Sequence, residues 1–480
     1  MKLTKHYNTI FLVLLISLCS IFTFELHAVE SILGHQDKYF GDFEKMSARN
    51  TIRVLVPYSK TFYFLDGANQ KGFTYDFLQE FEKYINNKLK RGTIKIRIIV
   101  IPTLRDQLIP SLLNGTGDIA AGNLTITPKR ERLIDFSIPY LTEINEIIVT
   151  SPKTQISSMD NWSPYIRKSS SYYESITSLN RKLLKLNKTP VSLQLGDEQL
   201  EDEDILEMMN ANMIQMSVID SHKGEFWSKI FPKLSFNFDK KLRTGGQIAW
   251  AFRKDSPQLE SIINEFMKKN KKGTLLGNIL FSRYLKNTQW VENSLKGKEK
   301  QRLEAAIPLF KKYSNQYNFD WIMIASLAFQ ESKIDQSVKS KSGAIGVMQI
   351  LPSTAADKSV EITNIYSLEP NIHAGTKYLR YIYDQFIDKE PMNDLNKYLF
   401  MFASYNAGPN RIRKLRNEAE QNGLDPNIWF RNVEIIAAKR IGRETVTYVS
   451  NIYKYYIAYS TIYKNEQDKE KVKESLKKSK

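Results

Sequence analysis

Gln330-Glu331-Ser332-Lys333, followed by Ser342-Gly343-Ala344-Ile345-Gly346-Val347-Met348-Gln349, carries the reading of the C-terminal half of the chain. The first string ends an apolar run, Trp321 to Phe329, that Asp320 is placed to N-cap. Glu331 lies 11 residues past Asp320, about three helical turns on. A carboxylate at the end of a buried helix loses water, which raises its pKa and favours the acid form that can protonate a leaving oxygen. Taken alone, such a glutamate is far more often an ordinary residue of a solvated helix face. The second string is small, glycine-punctuated and ends in an amide, and Leu351-Pro352-Ser353-Thr354-Ala355 follows it as a helix start. Further on, Ser404-Tyr405-Asn406-Ala407-Gly408-Pro409 caps another helix, and Arg443-Glu444-Thr445-Val446-Thr447-Tyr448-Val449 opens the last one. Gln, Asn and Tyr side chains suit the neutral hydroxyl and acetamido groups of sugars, which need both donors and acceptors.

Around these strings helical periodicity dominates: Trp321 to Phe329, Ile372 to Ile387, Leu399 to Ser404 and Thr445 to Tyr463. Residues 303–464 therefore read as an all-α unit. Residues 465–480, rich in lysine and poor in apolar residues, read as a solvated, frayed charged tail. The polar segment 286–302 reads as a linker. Ahead of it the rhythm changes to strand and helix in alternation. Ile52 to Val56 reads as a strand, Thr74 to Leu89 as a helix, Ile94 to Ile101 as a strand, Leu104 to Leu113 as a helix, and Asp118 to Gly122 as a small-residue strand. A second such set occupies about 150–243, and the chain returns to the first pattern near Gln247 to Phe252. This predicts an α/β domain over 51–285, after a lead of 29–50.

The α/β part contains Thr125-Ile126-Thr127-Pro128-Lys129-Arg130 and then Asp135-Phe136-Ser137-Ile138-Pro139-Tyr140. Threonine hydroxyls and backbone N–H groups follow a strand, and Arg130 presents a fork suited to a carboxylate. The whole string resembles the family 3 extracellular solute-binding proteins, which bind amino acids between two α/β lobes. The resemblance implies that Arg130, helped by Thr125, holds a ligand carboxylate. It also implies that Asp220, in Ser217-Val218-Ile219-Asp220-Ser221, holds an ammonium. The glycine-rich loop of that family is replaced by Ser169-Ser170-Ser171-Tyr172-Tyr173. A free amino acid, a peptide and a muropeptide fragment all stay open as ligands.

The four C-terminal strings, in their order, resemble the lytic transglycosylase domain with a goose-type lysozyme-like fold. The expected architecture is thus multidomain, α/β plus all-α: a two-lobed periplasmic-binding-protein fold followed by a lysozyme-like helical domain. The resemblance implies Glu331 as the catalytic acid, with Ser332, Met348, Gln349, Tyr405, Asn406, Glu444 and Tyr448 contacting glycan. It implies a one-carboxylate scheme that leaves a 1,6-anhydro ring on N-acetylmuramic acid, with no metal or other cofactor. Glu444 is the only acidic residue in the four strings, besides Glu331, that could act as a second carboxylate of a hydrolase. A non-catalytic ligand or glycan sensor is the third reading.

The amino-terminal segment sets the compartment. Lys2, Lys5 and His6 precede a nearly unbroken apolar run from Ile10 to Phe24, which suits an export signal ending near Ala28. Cleavage, lipidation at Cys19 and retention as an anchor are alternatives. Cys19 is the only cysteine, and the 5 histidines show no paired metal-binding spacing. With 69 Lys+Arg against 52 Asp+Glu, the net charge is +17. Such a charge favours anionic surroundings, here peptidoglycan and a membrane surface, and export disfavours nucleic acid. The expectation is a periplasmic protein held peripherally at the inner face of the outer membrane.

Overall fold

A computed structural model describes residues 37–478 apart from 67–68, 153, 155–161, 289–290 and 292–297. The expected signal segment 1–28, with Cys19, and much of the expected linker 286–302 lie outside the described residues. The chain forms two compact units. One is mixed α/β and comprises Lys38–Pro308, Lys333–Asp335 and Ile457–Lys480; the other is helical and comprises Leu309–Ser332 and Gln336–Tyr456.

In the mixed unit the strand Thr51–Val56 is buried at every position after the first, the continuous apolar pattern of a parallel strand covered on both faces. It pairs in parallel with Arg97–Pro102, from Thr51 opposite Arg97 to Val56 opposite Pro102, and on its other side with Ile119–Thr125. The sheet then continues through Ser235–Phe252 and Leu141–Thr150 to Met216–Asp220, all antiparallel. One sheet therefore runs through both lobes, because the strands that leave and re-enter the first lobe are long enough to serve the second as well. Helix Phe73–Lys88 covers it with Phe73, Phe77 and Phe81, and the rings of Phe77 and Phe81 meet Trp250 and Phe266.

The domain starts earlier than the strand pattern predicts. Within the expected lead 29–50, Asp42 caps the helix Phe43–Ala48, which buries Phe43 and Met46. The same carboxylate accepts from the backbone N–H groups of Gln258 and Leu259, at 2.7 and 2.8 Å, and so caps a second helix.

The expectation of a frayed tail at 465–480 is overturned. The last helix runs from Arg443 to Lys478. Ala458 and Ile462 are buried in the core of the mixed unit, and Val472 and Leu476 pack against it. Lys469, 5% exposed, places its ammonium 2.7 Å from the Asp204 carboxylate and over the Tyr58 ring. Lysines hide this stripe in the sequence: Ile462, Lys469, Val472 and Leu476 recur at helical spacing, but the acids that neutralise the lysine lie far upstream.

In the helical unit, Ile322 to Phe329 are all buried, so the helix Trp321–Ser332 is surrounded on every side. Asp320 caps it through the Ile322 N–H at 2.8 Å and is held by the Tyr456 hydroxyl at 2.9 Å. Gly408, at φ +89°, ends the helix Asp394–Ala407, and Pro409 starts Pro409–Gln421. That division of labour needs a residue free of Cβ at the stop and one with preset φ at the start.

Truncating Lys469 removes one partner of a buried ion pair. Lys60 and Lys473 still reach Asp204, at 3.5 and 3.8 Å. Lys469→Ala is expected to lower the unfolding free energy in urea by about 2 kcal/mol, less than for an acid left wholly unpaired. An unchanged midpoint would mean that the tail helix does not dock.

Candidate functional site

The site in the helical unit is built outward from Glu331, at the end of the buried Trp321–Ser332 helix. Burial pushes its carboxyl up to about 7, and a hydrogen bond donated by the Tyr448 hydroxyl pulls it partly back. No carboxylate is among the groups that act on it. Near neutral pH, Glu331 is thus divided between its acid and base forms, as proton donation followed by proton recovery requires.

The glycine-punctuated string forms the wall beside it. Two amides pin this loop from behind. Asn371, fully buried, accepts from the Met348 N–H at 2.8 Å and donates to the carbonyls of Ile345 and Ile365. Gln336 accepts from the Val347 N–H at 3.2 Å and donates to Ile365. Gly346, at φ +74°, makes this possible, since a Cβ there would fall 2.4 Å from the Gln336 amide and 2.6 Å from that of Asn371. Sequence reasoning missed both amides; a polar residue inside an apolar helical stripe was the available signal for Asn371.

The structure sorts the expected glycan-binding residues. Ser332 is buried and donates to the Val347 carbonyl at 2.9 Å, which ties the helix Trp321–Ser332 to the loop. Met348 is also fully buried, in the closest approach to Gly375. It presents its carbonyl to the Tyr405 hydroxyl at 2.8 Å. Gln349, at φ +45°, is half-buried and donates to Val338 and Gly346. Asn406 accepts from the Thr445 hydroxyl at 2.7 Å, which joins two of the four strings. Tyr448 is buried against Glu331, whereas Glu444 is exposed.

The mixed unit holds a second site, a cleft lined by Arg105, Thr125, Arg130, Arg167, Asp202 and Asp220 among others. Thr127 caps the short turn that aims Arg130 inward. Most of the cleft's charges are neutralised in place. Arg105 makes a two-pronged contact with Glu201 at 2.8 and 2.9 Å, and Arg167 and Lys223 both pair with Asp202. Two charges differ. Arg130 is buried and donates only to the carbonyls of Thr125 and Ser169, at 2.8 and 3.0 Å, with Glu174 at 3.9 Å. Asp220 is buried with one carboxylate oxygen unpartnered and Lys223 at 4.0 Å; burial raises its pKa. Ser170, from the string that replaces the glycine-rich loop, caps the helix Ser171–Lys185.

Residues 52–285 match the bacterial extracellular solute-binding proteins, family 3, and residues 308–428 match the transglycosylase SLT domain. Over 86% of its length the chain is similar to proteins named membrane-bound lytic murein transglycosylase F. That of Desulfosudis oleivorans is 28% identical over 86% of this chain and 90% of its own. That of Pseudomonas fluorescens is 27% identical over 86% and 85%. Among solved structures, the binding component of an ABC transporter from Wolinella succinogenes, complexed with lysine, covers 51% of this chain and 99% of its own at 20% identity and a TM-score of 0.42.

The raised Glu331 pKa has a cost in stability. The unfolded glutamate ionises near its ordinary value, the folded one near 7, so the fold takes up a proton between them. Stability from this group is full below the unfolded value and is lost as pH rises through 7. Glu331→Gln is therefore expected to match the wild type at pH 4 and to exceed it by about 2–3 kcal/mol at pH 8, read by urea unfolding. Tyr448→Phe removes the bond that favours the carboxylate, so the alkaline limb of any Glu331-dependent rate should move to higher pH. A limb that stays in place or falls to lower pH would exclude Glu331 as the titrating acid.

Proposed function

Since one chain carries a family 3 solute-binding domain followed by a transglycosylase SLT domain, we propose that it is a peptidoglycan lytic transglycosylase with a ligand-binding N-terminal domain. One observation carries the mechanistic reading: Glu331 is desolvated, balanced near pH 7, touched by Tyr448 and free of a second carboxylate's influence among the described residues.

The proton inventory follows from that single carboxyl. Glu331 in its acid form protonates the oxygen between N-acetylmuramic acid and N-acetylglucosamine, and that bond breaks. The substrate's own acetamido group assists the anomeric centre, the part that a second carboxylate plays in an ordinary glycosidase. Glu331, now a base, takes the proton from the muramoyl C6 hydroxyl, whose oxygen closes the 1,6-anhydro ring. The carboxyl ends as it began and no water is consumed, so the reaction is a lyase reaction. Tyr448 steadies the carboxylate between the two transfers. On this reading Gln349, Tyr405 and Asn406 contact glycan, and Glu444, which is exposed, joins them.

The N-terminal cleft is read from its loosely paired groups. Arg130 meets Glu174 only at 3.9 Å and Asp220 meets Lys223 only at 4.0 Å, longer than the other ion pairs of the cleft. The complementary ligand carries one of each, as a free amino acid or the end of a peptide or muropeptide does. The protein is placed in the periplasm, with peripheral attachment at the inner face of the outer membrane.

Mass spectrometry of purified peptidoglycan digested with the wild type and with Glu331→Gln tests the activity. Anhydromuramoyl products from the wild type, reduced at least a thousandfold in the variant, are expected. Reducing-end products would make the protein a hydrolase, and equal products from both would remove Glu331 from the chemistry.

A further inference from the structure

The helix Ser171–Lys185 buries Tyr172, Ile176 and Leu183 against the second lobe. Its opposite face, with the turn that follows, reads Arg181-Lys182-Leu183-Leu184-Lys185-Leu186-Asn187-Lys188, and every residue of this string except Leu183 is exposed. Arg181, Leu184 and Lys185 share one face of the helix, and Lys188 follows in the turn after it. Leu184 is 59% exposed and Leu186 65%, far more than large apolar side chains ordinarily are.

None of the four cations has an ion-pair or hydrogen-bond partner among the described residues. Glu174, the acid in the first turn of the same helix, faces Arg130. The turn is also rigid. Asn180 holds Val191 by a pair of hydrogen bonds at 2.7 and 2.9 Å, and the Lys188 N–H donates to Leu183. The patch thus stands preformed, with leucines and unpaired cations in one place.

We propose that this face docks on an anionic phospholipid surface. The cations fit the headgroups, and the leucines fit the boundary between headgroups and acyl chains. An anionic glycan polymer would satisfy the cations but gives no use to two exposed leucines. A second copy of the chain would cover the leucines but would set like charges against each other. No helix among the described residues is long and apolar enough to cross a membrane, so such a face gives peripheral contact.

The test uses the chain from Val29 onward, which keeps every described residue, and is independent of catalysis. Co-sedimentation is measured with vesicles of phosphatidylethanolamine and phosphatidylglycerol, with phosphatidylcholine vesicles and with purified sacculi. Each cation at an anionic surface contributes roughly fivefold to partition. Arg181→Glu/Lys182→Glu/Lys185→Glu/Lys188→Glu is therefore expected to weaken binding to the anionic vesicles by at least a hundredfold. Leu184→Ser/Leu186→Ser, at unchanged charge, should weaken it roughly tenfold. Both variants should keep the wild-type melting curve, because the altered side chains are exposed. Vesicle binding unchanged by the charge reversals would overturn the proposal. So would a leucine variant that binds vesicles like the wild type while the charge variant loses sacculi, which makes the patch a polymer site. A concentration-dependent dimer abolished by the leucine variant would overturn it in favour of self-association.

Discussion

Holding one carboxyl group out of water is the constraint around which the helical unit is arranged. Glu331 reaches a pKa near 7 only because it ends a helix whose residues from Ile322 to Phe329 are all buried. Burial alone would hold it in the protonated form. The Tyr448 hydroxyl moderates that effect, and it reaches Glu331 because the last helix passes beside the first. The loop facing the glutamate has no regular structure of its own, so its carbonyls and N–H groups need partners. Asn371, Gln336, Ser332 and Tyr405 supply them. A desolvated acid destabilises the fold that holds it, and the density of this anchoring is the compensation.

The mixed unit solves the same problem for many charges at once. Glu201-Asp202-Glu203-Asp204 is a run of four acids, all buried. Buried ions need close partners, and each of these finds its own. Glu201 takes Arg105, Asp202 takes Arg167 and Lys223, Glu203 takes the hydroxyls of Ser59 and Thr61, and Asp204 takes Lys469. One helical turn thereby joins the cleft wall, a loop of the first lobe and the end of the chain. With so many charges paired at short range, Arg130 and Asp220 stand apart in meeting Glu174 and Lys223 only at 3.9 and 4.0 Å.

Legibility followed the range of the interactions. Strands and helices stood out because their apolar spacing is local: the predicted strand 52–56 and the buried run 321–329 lie within the observed elements. Glu331 was legible because helix, glutamate and glycine-punctuated loop are close in sequence. The inward turn of Ser332 and Met348 was not, since a short motif does not say which of its side chains anchor it and which face outward. The docked end of the chain escaped notice for a related reason. A lysine-rich stripe reads as solvated until Asp204 and Glu207 are brought beside it.

By itself the sequence determined the order of the two units, the periodicity that makes one a mixed sheet and the other helical, and the identity of the glutamate. Those properties depend on backbone geometry and on neighbours a few residues apart. Only the tertiary structure decided how strong an acid Glu331 is, which cleft charges meet their counter-ions only at long range, and that Lys469 lies inside while Lys185 lies outside. Each of these is a matter of how much water a charge keeps and which opposite charge it meets, and both are set by residues distant along the chain.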